Sequence, residues 1–495
     1  MIAIASVLLL ALAAYFFYPK LFSSNKEVDV LDKSIAALPF ENMSGDPEQE
    51  YFSDGIAEEI LNSLSQLEGL KVTGRTSSFQ FKGKDIDLKE VGEKLGVATI
   101  LEGSIRKQNN QLRIYVQLVS AKDGYQLWSQ RFDRKVTDVF AIQDEIAQAV
   151  SAKLKLTLLH QPSDGPGTSM HNQEAYDLYL QGRFFFNKRG PGLLKGLELF
   201  KKSVALDSTF AQAQAAIALS YAIMSYYYAV PSVEGLRETK KFAQRAIELD
   251  PNSSDAYTAL GFVAQHLERD WNHTRQFLQK AIALNPSNTL AHGQYNNYFL
   301  FVAGDFVSAE AEAMKALKLD PYYFLPHVLL GQTNIKLGRY DRALENCQKA
   351  IEVSSNSSLP YTSKADVLLL IKKPAEAIET LTTNMGITGR TQMMLASLCE
   401  ALAEAGKKDE AVKIYNEVRE RARTEYVAPF ILGRVAVAIG KLDEAYKWYD
   451  KAFQEKNSGF IYWKYFLHEE LDHWSVFKKD PRYKRIMDQL AFPVE

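Results

Sequence analysis

The sequence predicts a mixed α/β domain followed by an all-α repeat solenoid, the two preceded by one transmembrane helix. Three observations carry this reading. Met1 to Tyr18 form an uncharged apolar run, Ser34 to about Leu158 alternate between strand-like and helix-like patterns, and alanines recur at a fixed interval through the second half. At 495 residues and 46% hydrophobic content the chain is long enough for two or three folded units. A formal net charge of -2 argues against nucleic acid as a main partner, because duplex binding needs a basic face.

Residues 1–19 are the expected anchor. MIAIASVLLLALAAYFFY ends at Pro19-Lys20, and its helix would rise roughly 27 Å, close to the hydrocarbon thickness of a bilayer. The Tyr15-Phe16-Phe17-Tyr18 cluster suits an interface. The competing reading is a cleaved signal peptide with Ala11-Leu12-Ala13 as its small-residue site, but it lacks a basic n-region. Lys20 and Lys26 mildly favour a cytoplasmic body. Residues 20–33 read as a tether.

From 34 to 158 the elements follow in order. IAALPF is a short buried strand, and YFSDGIAEEILNSLSQL an amphipathic helix with Ser53 or Asp54 as its cap. LKVTGR is a second strand, and DLKEVGEKLG a helix stopped by Gly96. TILEGSIRKQ and QLRIYVQLVS alternate as strands around a turn at Asn109-Asn110. GYQLWSQRFD is a further strand after the Asp123-Gly124 turn, and VFAIQDEIAQAVSAKLKL a closing helix. QPSDGPGTS marks a linker, placed at 159–172.

Beyond the linker, Ala309, Ala343, Ala377, Ala411 and Ala445 lie 34 residues apart, each opening an amphipathic helix. Ala246, Ala281, Ala316, Ala350 and Ala452 sit late in second helices. AIELDPN, AIALNPS and ALKLDPY end those helices at Pro251, Pro286 and Pro321. This is the period and pattern of the tetratricopeptide repeat, a helix–turn–helix unit that stacks into a solenoid and binds other polypeptides. About eight units are expected over 173–456, with a capping segment at 457–495. Cys347 and Cys399 fall at small positions in different repeats and read as buried thiols.

The run LPFENMSGDPEQEYFSDGIAEEI, with RTSSFQFKGK, LEGSIR, GYQLWSQRFDR and VFAIQDEIA, resembles the TolB-like α/β domain that bacteria place before tetratricopeptide repeats. The resemblance covers Ser34 to Leu158 and runs on into EAYDLYLQGR. It implies the C-terminal half of a regulator whose other half is a nucleotide cyclase, a kinase or a winged-helix domain. It also implies an inner-membrane protein with its folded body in the periplasm. This sequence starts at the apolar segment, so no effector activity is expected of it.

Within the chain no catalytic, metal or cofactor site is expected. The aspartate pair of a cyclase and the loops of a kinase are not recognised, and FKGKDIDLKEVGEKLG lacks the spacing of a phosphate loop. HEELDH, from His468 to His473, has its histidines five apart and reads as a solvated terminal segment. The acids Asp46, Glu48, Glu50, Asp54, Glu58 and Glu59 read as helix N-terminal electrostatics. Trp128 reads as a packing residue. Ser77, Ser78, Lys82 and Lys84 form a possible loop site, against the alternative of a packing loop with Phe79 and Phe81 alternately buried.

The better-founded site is the concave face of the solenoid. By analogy with the repeat family, whose first helices line that face, registering the repeats on Gly261, Asn297, Gly331 and Gly433 places Phe262, Gln265, Gln294, Tyr298, Phe301, Gln332, Ile335, Phe430 and Arg434 there, the alternative being that many of these side chains pack against each other. This aromatic, amide-rich lining suits a partly apolar polypeptide segment. The expected function is a membrane-anchored, non-catalytic scaffold or sensor with a protein partner. The alternative is the regulatory part of a signalling system whose effector is encoded separately.

Overall fold

A computed structural model describes residues 33–109, 111–136, 139–154, 172–466 and 470–492. Among them, six strands form one small sheet: β1 (Ser34–Ala37), β2 (Glu41–Asn42), β3 (Lys71–Val72), β4 (Thr99–Gln108), β5 (Gln111–Ser120) and β6 (Gln126–Lys135). The order is β3-β1-β4-β5-β6, with β2 paired to β4. Contacts of β1 with β3 and β4 are parallel, and β4, β5 and β6 form an antiparallel meander.

Period-two alternation sorts the side chains between two layers. Ile35 and Ala37 face a core shared with α1 (Glu50–Leu64), while Ala36 and Leu38 face the side where Val91 and Leu95 pack. α2 (Arg75–Phe79) is a short helix where a loop was expected. α3 (Leu88–Leu95) ends at Gly96 with φ 64°, a conformation glycine adopts without a Cβ clash. α4 (Val139–Leu154) completes the inner layer.

The cap of α1 differs from expectation. A 3-10 turn at Pro47–Gln49, capped by Asp46, runs directly into the helix, so α1 starts before Ser53 and Asp54. Those two residues are buried within it.

Sixteen helices of the described residues then pair into eight hairpins. The first helices are α5 (Gln173–Lys188), α7 (Ala211–Tyr226), α9 (Ser254–Phe262), α11 (Thr289–Asn297), α13 (Phe324–Lys336), α15 (Ser358–Leu370), α17 (Gln392–Glu404) and α19 (Pro429–Ala438). Their partners are α6 (Gly192–Leu206), α8 (Ser232–Leu249), α10 (Trp271–Leu284), α12 (Phe306–Leu319), α14 (Tyr340–Val353), α16 (Pro374–Thr388), α18 (Lys408–Arg421) and α20 (Leu442–Gln454). The period-34 alanines are fully buried on these partner helices, where a methyl lets neighbours approach. At Gly433 even a methyl would meet the Tyr449 ring, 2.5 Å away.

α9 and α11 depart from regular helix. Each continues as a π-helical turn, Val263–Glu268 and Tyr298–Ala303. These turns face the C-terminal segment: a 3-10 turn at Ser458–Tyr462, α21 (Trp463–Phe466), α22 (Asp472–Lys479) and α23 (Pro481–Leu490). Within the expected capping segment, Pro481 starts a new helix directly after α22.

The expected fold class needs correction. The chain is mostly helical, with a small sheet at its N-terminal end, and two of the six strands are only two residues long. No helix among the described residues is long and apolar enough to cross a membrane. The apolar helix α7, for instance, stops after 16 residues and buries its side chains against other repeats. Residues 1–19, on which the membrane helix was placed, lie outside the described residues, as does most of the linker at 159–172.

Candidate functional site

Two places bring polar side chains together: the seam between the α/β domain and the first four repeats, and the axis of the solenoid.

At the seam, α1 lies against α5. Gly55 makes this possible, because a Cβ there would meet Leu180 Cδ2 at 2.8 Å. Tyr51 donates its hydroxyl to Asp177 at 2.8 Å, and Tyr179 donates to Glu59 Oε1 at 3.0 Å. Glu58 accepts from Arg75 Nε at 2.7 Å, from Arg183 and from Asn187. Burial raises the Glu58 carboxyl, but Arg183 and Arg75 outweigh it and leave Glu58 below the usual range. Burial pushes Glu59 up to about 7, against the pull of the Arg183 charge and the Tyr179 hydrogen bond.

The loop site resolves differently for each member. Ser77 and Ser78 are fully buried in α2. Ser77 gives its backbone N–H to Asp320 Oδ1 at 2.7 Å, and its hydroxyl donates to the same oxygen. The hydroxyl oxygen in turn accepts from Tyr322 N at 2.7 Å, and Gly74 N donates to Leu319 O at 2.6 Å. Any side chain at Gly74 would collide with Asp320. Lys82 pairs with Asp54 at 2.6 Å and Glu50 at 2.5 Å, while Lys84 is exposed. Phe79 is half-buried and Phe81 buried, edge-on to Tyr322. Trp128 packs against the α/β core.

Along the axis, Phe262, Gln265, Gln294, Phe301, Gln332, Ile335, Phe430 and Arg434 are all buried, and Tyr298 is half-buried. Part of their cover is the chain's own C-terminal segment. The Ser458 carbonyl accepts from His266 Nδ1 at 3.3 Å, and its hydroxyl donates to Ser225 O at 3.2 Å. Tyr462 sets its ring edge-on to Phe301 at 4.7 Å, and Phe460 lies edge-on to Phe430 at 5.9 Å. Burial holds His266 down at about 4, so the ring is neutral near pH 7.

The axis also holds charges that the sequence reading missed. Arg434 is bidentate on Glu400, at 2.9 and 2.8 Å, with both side chains buried. Asp366 stands near this pair, raised to about 7 by burial, and Lys336 is lowered to about 8 for the same reason. Gln332, Asp366, Glu400 and Arg434 are spaced by 34 residues, so counting back by whole periods from Arg434 would have found Glu400 and Asp366.

Both cysteines are free and buried, and burial pushes Cys347 up to about 12. His473 corrects another expectation. It is half-buried rather than solvated, its side chain largely covered and its Nδ1 2.6 Å from Glu404 Oε1; His468 lies outside the described residues. Among the described residues no group of three or more His, Cys, Asp or Glu is placed to hold a metal ion.

Comparison with known proteins bears on both halves. Residues 31–149 match the family described as HilA/YgeH-like transcriptional regulator, second domain. Residues 327–357 match the tetratricopeptide repeat. The solenoid is built of tetratricopeptide repeats, an architecture of protein-interaction scaffolds.

A protein named putative adenylate cyclase 3, from Rhizobium meliloti (strain 1021), is 36% identical over 243 residues. That alignment is 48% of this chain and 41% of the relative, so the chain spans less than half of the relative's length. Among solved structures, a thermophilic tetratricopeptide-repeat protein from Thermus thermophilus is similar at 18% identity. It covers 39% of this chain and 99% of its own, with a TM-score of 0.33. Pseudomonas aeruginosa PilF is similar at 18% identity over 42% of this chain and 93% of its own, with a TM-score of 0.32.

Proposed function

We propose that the chain is a non-catalytic, protein-binding regulatory part of a signalling system whose effector is a cyclase, kinase or winged-helix domain. The observation that carries this is the seam. Ser77, Gly74 and Glu58 tie the α/β domain to repeats one and four through buried hydrogen bonds and ion pairs. A partner held on the repeats is therefore coupled mechanically to the α/β domain. The relative named putative adenylate cyclase supports a signalling context.

The concave residues hold a polypeptide segment in this reading, which the chain's own Ser458–Tyr462 (small residues, then apolar and aromatic ones) lying against them supports. An external partner on that face competes with it, whereas the outer surface of the repeats is open to a partner directly.

The test combines activity and contact. Purified full chain incubated with ATP and Mg2+ is expected to form no cyclic AMP; formation of cyclic AMP would overturn the non-catalytic reading. Cross-linking in cells, read by mass spectrometry, is expected to join residues of the repeats to one dominant protein. Cross-links confined to the chain itself would overturn the scaffold reading.

A further inference from the structure

β6 is the outer strand of the sheet, ten residues long, and only Phe132 along it is buried. Its backbone polarity follows from the register. Leu101 turns its carbonyl to Leu38 beside β1, so Glu102 turns toward β5 and meets Gln117. Odd-numbered residues of β5 thus face β4 and even-numbered ones face β6, consistent with Ala121 N donating to Ala98 O and Ser120 N to Tyr125 O. The β6 residues opposite those even positions are Trp128, Gln130, Phe132 and Arg134. Ser129, Arg131, Asp133 and Lys135 therefore present their N–H and C=O groups outward. Among the described residues no strand pairs with that edge.

Such an edge is a template for one more strand. The side chains say which. On the exposed face Asp133 lies between Arg131 Nε at 3.0 Å and Arg113 Nε at 2.6 Å. In an antiparallel pair of two β6 strands with its two-fold at Phe132, Arg131 of each copy falls opposite Asp133 of the other, in hydrogen-bonding positions. Shifting the two-fold to Arg131 or to Asp133 sets like charges opposite each other instead.

We propose that the partner of this edge is a second copy of the chain, joined β6 to β6 about Phe132 in an isologous dimer. The two sheets become one continuous sheet, and α4 of each copy lies beneath the junction. The charge pairing selects the register, and the outward N–H and C=O groups supply the backbone bonds.

Sedimentation velocity on the full chain tests this, over concentrations from about 1 to 100 µM, the range for an interface of modest area. Wild type is expected to shift from monomer to dimer. Arg131→Glu sets Glu against Asp133, and Asp133→Arg sets Arg against Arg131; each is expected to weaken association by about tenfold or more. Mixing the two variants restores opposite charges at both positions and is expected to recover the dimer as a heterodimer. Both positions are exposed, and unchanged circular dichroism melting confirms folding. A wild type that stays monomeric throughout, or a dimer indifferent to both reversals, overturns the proposal. A strand from an unrelated protein as the natural occupant gives the first of these results.

Discussion

Asp320, at the end of the fourth repeat, accepts both the backbone N–H and the hydroxyl of Ser77, a residue 243 positions earlier. The α/β domain is latched to the solenoid at this carboxylate. Ser77→Ala keeps the backbone bond but strips the hydroxyl from Asp320 and Tyr322 N, a cost of about 1–3 kcal/mol. Asp320→Ala leaves two Ser77 donors buried and is expected to cost more than Ser77→Ala. Urea unfolding of the two variants checks the order.

Arg434 and Glu400 are a buried ion pair, so removing one partner strands the other. Glu400→Gln and Arg434→Met are each expected to lose about 3–5 kcal/mol. The double variant is expected to lose much less than their sum. A double-mutant cycle in urea measures the coupling; additive losses contradict the pairing.

Asp366 gives a pH signature. Its folded pKa, raised to about 7 by burial, lies above the unfolded carboxylate value. The native state holds its proton longer than the unfolded state, so this residue makes stability fall as pH rises from about 4 to 7. Asp366→Asn removes that slope. Its stability relative to wild type is expected to climb by about 1.4 kcal/mol for each pH unit crossed inside that window. Thermal melts at pH 5 and pH 8 compare the two. His266 has the opposite sign: its folded pKa of about 4 makes stability fall as pH drops below the free-histidine value.

Phe460 anchors the C-terminal segment and is buried against Phe430 and Trp463. Phe460→Ala is expected to cost about 3–5 kcal/mol. It also loosens the π-helical turns that face this segment, so amides at Val263–Glu268 and Tyr298–Ala303 exchange faster by hydrogen–deuterium exchange. Protection unchanged at those turns argues that they stand without the segment.

How far the sequence could be read depends on whether the information was local. The alanine period, the proline stops and Gly96 are local, and the helices built on them are visible in the residues alone. The strand in LKVTGR is legible, although only Lys71–Val72 of it pairs; the strand at Glu41–Asn42 is harder, since two residues carry no periodicity and are made a strand only by their neighbour. Ser77 looked like a loop residue because its polarity is satisfied by Asp320, far away in the chain. The concave lining was assigned from the register, but that register cannot show that Ser458 and Tyr462 return to cover it. Glu400 and Asp366 are the opposite case: the period pointed to them from Arg434, and only their charge, unusual for a buried position, hid them.

The return of the C-terminal segment changes how the chain reaches its native state. Repeats in an open solenoid touch only their neighbours, so folding can spread from any point with little loop to close. Here Ser458 bonds to Ser225, 233 residues away, and Trp271 donates to Ala491 O, 220 residues away. These bonds need the second and third repeats and the C-terminal end already built and correctly curved. Closing the loop is therefore expected to be the late and slow step of folding, and a chain arrested before it would expose Phe460, Tyr462 and Phe301 to aggregation.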